Sequence, residues 1–239
     1  SLFKPLGKLY PKLDWAPRML RAKTTFQSLA MDLVEGYLHG ISLLKQHQRD
    51  ALFSEQFKQQ LNGYNSLELF RRYQAEFDGD EPLALLQYID LKTYLVGDIL
   101  TKVDRASMAH SLEVRVPFLD HKFVEWAFTA ESAANLQQGT GKFSLKKALQ
   151  PHLPDDVLYR NKMGFAVPLE QWFRGPLQQQ LESKLLSDVM LSSGIFNEFE
   201  LRKLISEHKA GLKDNSTALW TLLMFAVFIE KETLSMIPG

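Results

Sequence analysis

Asp98-Ile99-Leu100-Thr101-Lys102-Val103-Asp104-Arg105-Ala106-Ser107-Met108-Ala109-His110-Ser111-Leu112-Glu113-Val114-Arg115-Val116-Pro117-Phe118-Leu119-Asp120 is the stretch that decides how this chain folds. In its first half Ile99, Leu100, Val103 and Ala106 form an apolar stripe at helical spacing, so the segment predicts a helix. Asp98 and Lys102 stand four residues apart with the acid leading, a pairing that supports a helix by roughly 0.2–0.5 kcal/mol. Lys102 and Arg105 share the face opposite the stripe. From Leu112 to Val116 the pattern changes to strict alternation of apolar and charged residues. That period of two predicts extended chain, and Pro117 confines it to a short edge. Asp120 then caps a helix in which Phe123, Trp126, Ala127 and Ala130 recur at helical spacing.

The same grammar extends outward. Pro5, Pro11 and Pro17 break the opening stretch into loops. Helices are predicted over about 23–38, 42–61 and 67–77, and from Pro82 to Tyr94, where Gly97 interrupts. Further helices are predicted from Ser144 to Gln150, from Leu169 to Trp172, from Leu177 to Leu186, around Leu201 to His208, and from Thr217 to Leu234. The last is apolar on nearly all sides, which predicts burial. Gln137 to Gly141 reads as a loop. With no succession of strands, the chain predicts an all-α fold: one compact multi-helix domain over residues 1–239, with one short extended segment at about residues 112–117.

Composition narrows the function. The 239 residues carry 28 Lys+Arg against 28 Asp+Glu. A net charge of zero argues against a nucleic-acid partner or an anionic membrane surface. The most apolar run, Ala218 to Ile229, is too short for a bilayer, which needs about 20 residues. The absence of Cys removes disulfides, thiolate metal sites and a cysteine nucleophile, and it suits a reducing compartment such as the cytoplasm. The six His stand too far apart for a metal pair at helical spacing, so no metal site is expected. Gly139-Thr140-Gly141-Lys142 fails as a phosphate loop, because Leu136 and Phe143 occupy positions that require Gly and Ser or Thr. The chain begins at Ser1, which suggests a piece of a longer protein.

Three segments offer chemistry. Lys102 and Arg105 form either a solvated face or a basic face aimed at an anion. Glu113 and Arg115 share one side of the extended segment, as a surface ion pair or as an Arg presented to a phosphate. Arg160-Asn161-Lys162-Met163-Gly164-Phe165 places two cations beside a turn that Gly164 allows to fold tightly.

Taken together, the stretch from Asp98 to Asp120, then Lys142 to Leu149, Pro154, and Tyr159 to Phe165 closely resembles the asparagine synthetase (glutamine-hydrolysing) family. The resemblance covers residues 67–239 as a family-like core, strongest from Leu86 to Trp172, with residues 1–66 more variable. The opening, with Tyr10-Pro11-Lys12 and Trp15-Ala16-Pro17, resembles the exosortase-associated amidotransferase branch. The resemblance implies the helical part of an adenine-nucleotide α-hydrolase-like synthetase domain. It implies an ATP- and Mg²⁺-dependent ligase that adenylates a carboxylate, such as that of aspartate, and lets glutamine-derived ammonia attack it. The glutaminase cysteine and the Ser-Gly-Gly-x-Asp-Ser pyrophosphate loop of that family do not occur here, so this fragment alone is expected to be inactive and to hold no cofactor tightly. By the same resemblance Lys162, Arg115 and Arg105 are catalytic cations, supported by Lys102, Asp104, Glu113 and Gly164. Met163 departs from the acidic residue some members carry, which leaves the acceptor open. The implied partners are small-molecule substrates and a possible second copy. A non-catalytic helical interaction module and a β-lactam-synthetase-like enzyme remain alternatives.

Overall fold

The computed structural model describes residues 30–161 and 167–235. Its helices follow in chain order: α1 (Leu33–Ile41), α2 (Gln46–Leu52), α3 (Glu55–Leu61), α4 (Leu67–Glu76) and α5 (Pro82–Asp90), which runs through a π-helical segment (Leu91–Leu100) into α6 (Thr101–Met108). A 3₁₀ turn (Pro117–Leu119) leads into α7 (His121–Phe128) and α8 (Ser132–Asn135). The strands β1 (Leu136–Gln137) and β2 (Thr140–Gly141) precede α9 (Phe143–Leu149) and α10 (Asp155–Leu158). The chain ends in α11 (Leu169–Arg174), α12 (Gln178–Leu185), α13 (Asp188–Ser192), α14 (Glu198–Lys209) and α15 (Ser216–Ser235). The architecture is mostly helical, as the periodicity predicts.

Several details differ from expectation. Gly97 does not interrupt the helix: backbone bonding passes through it in the π segment, and the glycine costs only about 1 kcal/mol there. Asp98 and Lys102 form no ion pair, although both are exposed and stand four residues apart. Gln137–Gly141 is a hairpin, with Leu136 opposite Gly141 and Gln137 opposite Thr140. Both turn residues, Gln138 and Gly139, have positive φ (49° and 77°), the sign a tight right-twisted hairpin requires. The helix predicted over 42–61 is split at Phe53, which bridges to Phe196, and Ser54 caps the following helix by accepting from the Phe57 amide at 3.0 Å. The start of the helix predicted from residue 23 falls outside the described residues, within which α1 begins at Leu33.

The described chain divides into two compact units. One comprises residues 30–38 and 66–161, the other 39–65 and 167–235. The first has a small core of Val34, Phe70, Leu85 and Ile89. Around it Asp32 caps α1, accepting from the amides of Val34 and Glu35 at 3.1 Å, and pairs with Arg71. The Arg71 guanidinium holds the Asp32 carboxyl below its ordinary range. Tyr37 donates its hydroxyl to Asp90, and burial with this carboxylate beside it pushes the phenol upward.

The second unit has the larger core: Leu52, Phe173, Leu181, Leu185, Met190, Leu201, Ile205, Leu219, Leu222, Leu223 and Ala226. Leu219, Leu222, Leu223 and Ala226 follow i, i+3, i+4, i+7 and form the buried stripe of α15. Each such leucine contributes roughly 1.5–3 kcal/mol through burial. The expectation that this helix is buried on nearly all sides fails at Trp220, Met224 and Phe228, which stand one turn apart along an exposed face. A helix packed by neighbours on one side buries only the stripe that meets them.

Candidate functional site

The π segment feeds α6, and Thr101 marks the junction by donating its hydroxyl to the Val96 carbonyl five residues back, at 2.8 Å. Lys102, Asp104 and Arg105 are exposed on α6. None of their charged groups makes an ion pair with another described residue. Lys102 and Arg105 stand three apart on this short helix, so they are neighbours on its surface.

A turn then reverses the chain. The Leu112 amide donates to the Ser107 carbonyl at 3.0 Å and the Ser111 amide to the Met108 carbonyl at 2.9 Å, the paired bonding that closes a helix C-terminus. Ser111 holds the left-handed conformation of this motif, at φ 58°. The same bonds close α14, where Leu212 donates to Glu207 and Gly211 to His208, and there glycine takes the left-handed position at φ 71°. A serine in that role costs about 1–2 kcal/mol. The chain therefore holds mild strain between Arg105 and Arg115.

Beyond the turn, residues 112–116 carry no regular secondary structure, and Val116 is extended at φ −107° and ψ 103°. They pair with no strand among the described residues, so the short edge expected there lacks a partner strand. Arg115 donates from Nε to Glu113 Oε1 at 2.8 Å, as i, i+2 spacing on one side of an extended chain allows. The side chains are 87% and 68% exposed, so this pair contributes only about 0–1 kcal/mol. The guanidinium remains open to solvent on its other edge. Asp120 closes the segment, accepting from the amides of Lys122 at 3.0 Å and Phe123 at 3.3 Å to start α7.

Lys162 and Gly164 lie outside the described residues. The approach to them is described: Lys146 on α9 sits 5.1 Å from the Tyr159 ring centroid, and Gln150 donates to the Tyr159 hydroxyl at 3.3 Å. That clamp fixes the chain three residues before Lys162. Sequence reasoning did not anticipate it, although a lysine and a tyrosine flanking a proline-broken turn were the available signal. Of the expected site residues, the structure brings Glu113 and Arg115 into contact and sets Lys102, Asp104 and Arg105 on one helix across the Ser111 turn.

Sequence reasoning also missed a groove of about 450 Å³ between the π segment and α7. Tyr94, Leu95, Ile99, Phe118, Phe123 and Phe128 give it an apolar lining, with Asp90 at its edge. Phe118 and Phe123 meet edge to face at 5.4 Å. Among the described residues no group of three His, Asp or Glu could hold a metal ion, and no helix is long and apolar enough to cross a membrane.

The asparagine synthase family profile matches residues 2–230. The chain belongs to that family. A relative from Mycobacterium bovis is 38% identical over 168 residues, covering 68% of this chain and 26% of the relative. Asparagine synthetase (glutamine-hydrolysing) 1 of Bacillus subtilis is 32% identical over 182 residues, covering 74% of this chain and 28% of the relative. The corresponding enzyme of Gallus gallus is 31% identical over 106 residues, 40% of this chain and 19% of the relative. The chain thus spans about a quarter of the length of the first two. No solved structure matches it.

Proposed function

We propose that these 239 residues form one domain of a cytoplasmic, ATP-dependent amide-forming ligase of the glutamine-hydrolysing asparagine synthetase type. Family membership supports this, as does a profile that runs continuously from residue 2 to residue 230. The observation that carries the chemistry is the three basic positions flanking the Ser111 turn: Lys102 and Arg105 before it, Arg115 after it, all exposed and none neutralised by burial against a carboxylate.

In that reaction a substrate carboxylate oxygen attacks the α-phosphorus of ATP, and the bond to the β-phosphate oxygen breaks. Charge builds on the departing pyrophosphate. Preorganised cations lower the barrier at the point where that charge develops. Arg105 and Arg115 serve this role, with Lys102 adding charge on the same helix face. The planar Arg115 fork suits phosphate oxygens, and Glu113 orients it from one edge. By the family resemblance, Lys162 acts on the reacting carboxylate and phosphate, with Gly164 in a supporting role. Ammonia then attacks the acyl carbon and AMP leaves. Mg²⁺, when bound, screens the phosphate charges. The described residues offer it no set of three ligands. Substrates are small molecules, a homodimer is possible, and the balanced charge disfavours nucleic acid. The exosortase-associated branch rests on residues 10–17 alone, outside the described residues.

The test is Lys162→Ala in the full-length enzyme. Amide synthesis is expected to be lost while glutamine hydrolysis continues. Retained synthesis removes Lys162 from the site. The 239-residue chain alone is expected to bind ATP weakly, and micromolar binding by calorimetry would overturn the division of labour proposed.

A further inference from the structure

The core of the first unit stops at Ile89, and the π segment that begins at Leu91 contains no buried residue. It nevertheless sets the direction of α6, because the helix runs without a break from one into the other. Gly97 lies within it, and its missing side chain leaves the backbone freer there. A helix that leaves its core this early keeps a fixed bearing only if its first turn is held from outside the core.

Lys92 supplies such a hold. It is the second residue of the π segment, and it reaches back to α4 and α5. Its Nζ lies 5.3 Å from the Tyr88 ring centroid, 5.8 Å from that of Tyr73 and 3.9 Å from Glu76 Oε2. An ammonium this close to an aromatic face is drawn to the ring quadrupole, so two rings and a carboxylate make three walls of a cation box. The walls are fixed independently of the lysine. Tyr73 and Phe77 pack against the core of Val34, Phe70, Leu85 and Ile89. Tyr88 lies 5.6 Å from Phe77, centroid to centroid, and donates its hydroxyl to Glu76 at 3.2 Å. Arg72 adds a second cation, 5.3 Å from the Tyr73 centroid and 3.9 Å from Glu76 Oε1. The Tyr88 contact is local, four residues back along the helix. The Tyr73 and Glu76 contacts tie the π segment to a different helix. The one other charged residue of the segment, Asp98, forms no ion pair among the described residues.

We infer that Lys92 is a positioning residue for amide synthesis: held in the box of Tyr73, Tyr88 and Glu76, it fixes the start of the π segment and thereby the bearing of Lys102 and Arg105 on α6. The inference rests on the role proposed above for those two cations. Lys92 touches no reacting group and acts through the intervening helix. Cations stabilise a transition state only where its charge develops, and a displacement of about 1 Å can cost as much as 10²-fold in rate. The Lys92 side chain is half exposed, so each contact in the box is weak, and losing them loosens the segment without unfolding it.

The test is made in the parent enzyme. Lys92→Met keeps the aliphatic stem and removes the charge. It is expected to lower kcat for amide synthesis about 3–10-fold, because the cations act on charge present in the transition state. KM for ATP and glutamine hydrolysis are expected to hold. Lys92→Arg, whose guanidinium can stack on a ring and pair with Glu76, is expected to retain synthesis within about twofold. Synthesis unaffected by Lys92→Met overturns the inference. So does a loss that Lys92→Arg fails to rescue, or one matched by an equal loss of glutamine hydrolysis, which marks general damage to the fold. Tyr88→Leu approaches the box from its other wall. Combined with Lys92→Met it should cost little more than either change alone, and fully additive losses would mean that the two do not act together.

Hydrogen exchange separates this inference from the ligase reading. In Lys92→Met, the amides of residues 93–103 are expected to exchange about threefold or more faster than in the wild type, while Leu219 in the second unit's core keeps its protection. Unchanged exchange at residues 93–103 overturns the box as an anchor. A wild-type parent that makes no amide sinks the ligase proposal, and the exchange result still decides whether Lys92 anchors the segment. An active parent in which exchange quickens but synthesis holds refutes the positioning role alone.

Discussion

His208 gives the sharpest prediction on stability. It is 1% exposed on α14. Its Nδ1 accepts the Asn215 amide at 3.2 Å, and Nε2 is buried with no hydrogen bond of ordinary geometry among the described residues. Arg174 donates from Nε to the His208 carbonyl at 2.7 Å and also pairs with Glu170, while Asp214 Oδ1 lies 3.8 Å from Nδ1. Burial, reinforced by the Arg174 charge, holds the imidazole below its ordinary 6.5. The unfolded chain takes up a proton as pH falls through 6.5, and the native state does so only at lower pH. Stability is therefore fully present above pH 6.5 and declines as pH falls from there toward the folded value. The loss between pH 6.5 and 5.5 reaches at most about 1 kcal/mol, equivalent to about 2–4 °C for a chain of this size. His208→Asn keeps an acceptor near the Nδ1 position and removes the titration. It is expected to cost about 1–3 kcal/mol at pH 7.5 through lost packing. The gap between wild type and variant should then shrink by up to about 1 kcal/mol on going to pH 5.5. His39 is also held low by burial, with Lys45 and His47 adding to it, so the variant keeps a residual slope. Thermal unfolding followed by circular dichroism at intervals between pH 5.5 and 7.5 measures both curves. Parallel curves would refute the reasoning.

Three further outcomes follow from named contacts. Ser111→Gly should stabilise the protein by about 0.5–1 kcal/mol, the left-handed strain relieved less the added entropy of the unfolded chain, and a loss in urea midpoint would contradict the strain. Asp120→Ala should cost about 0.5–2 kcal/mol, because two amides at the start of α7 lose their acceptor; Asp120→Asn, which keeps a capping oxygen, should restore most of it. Leu219→Ala, at a fully buried position of α15, should cost about 2–5 kcal/mol in the same measurement, and a cost under 1 kcal/mol would mean that the α15 core is looser than described.

Local signals proved legible where the cause was local. Pro82 at the first turn of α5, Asp120 at the cap of α7 and the i, i+2 contact of Glu113 with Arg115 all follow from residues a few positions apart. The π segment was not legible, because Leu91–Leu100 has the composition of an ordinary helix and only the bonding step differs. The exposure of Trp220, Met224 and Phe228 was not legible either. Hydrophobicity fixes what a helix can bury, and the neighbours it meets fix what it does bury. At the site, residue types were readable from the chain, whereas the clamp on Tyr159 and the groove depend on elements brought together by folding.

The π segment also has an evolutionary reading. A helix that bonds five residues back turns less per residue than one that bonds four back, so its length sets the rotational phase of everything after it. Leu91–Leu100 thus acts as a gear between α5, anchored in the core by Leu85 and Ile89, and α6, which displays Lys102 and Arg105. A one-residue deletion that returned the segment to ordinary winding would leave both helices intact and swing the two cations to a new bearing. Such an indel would re-aim charge without altering a single basic residue.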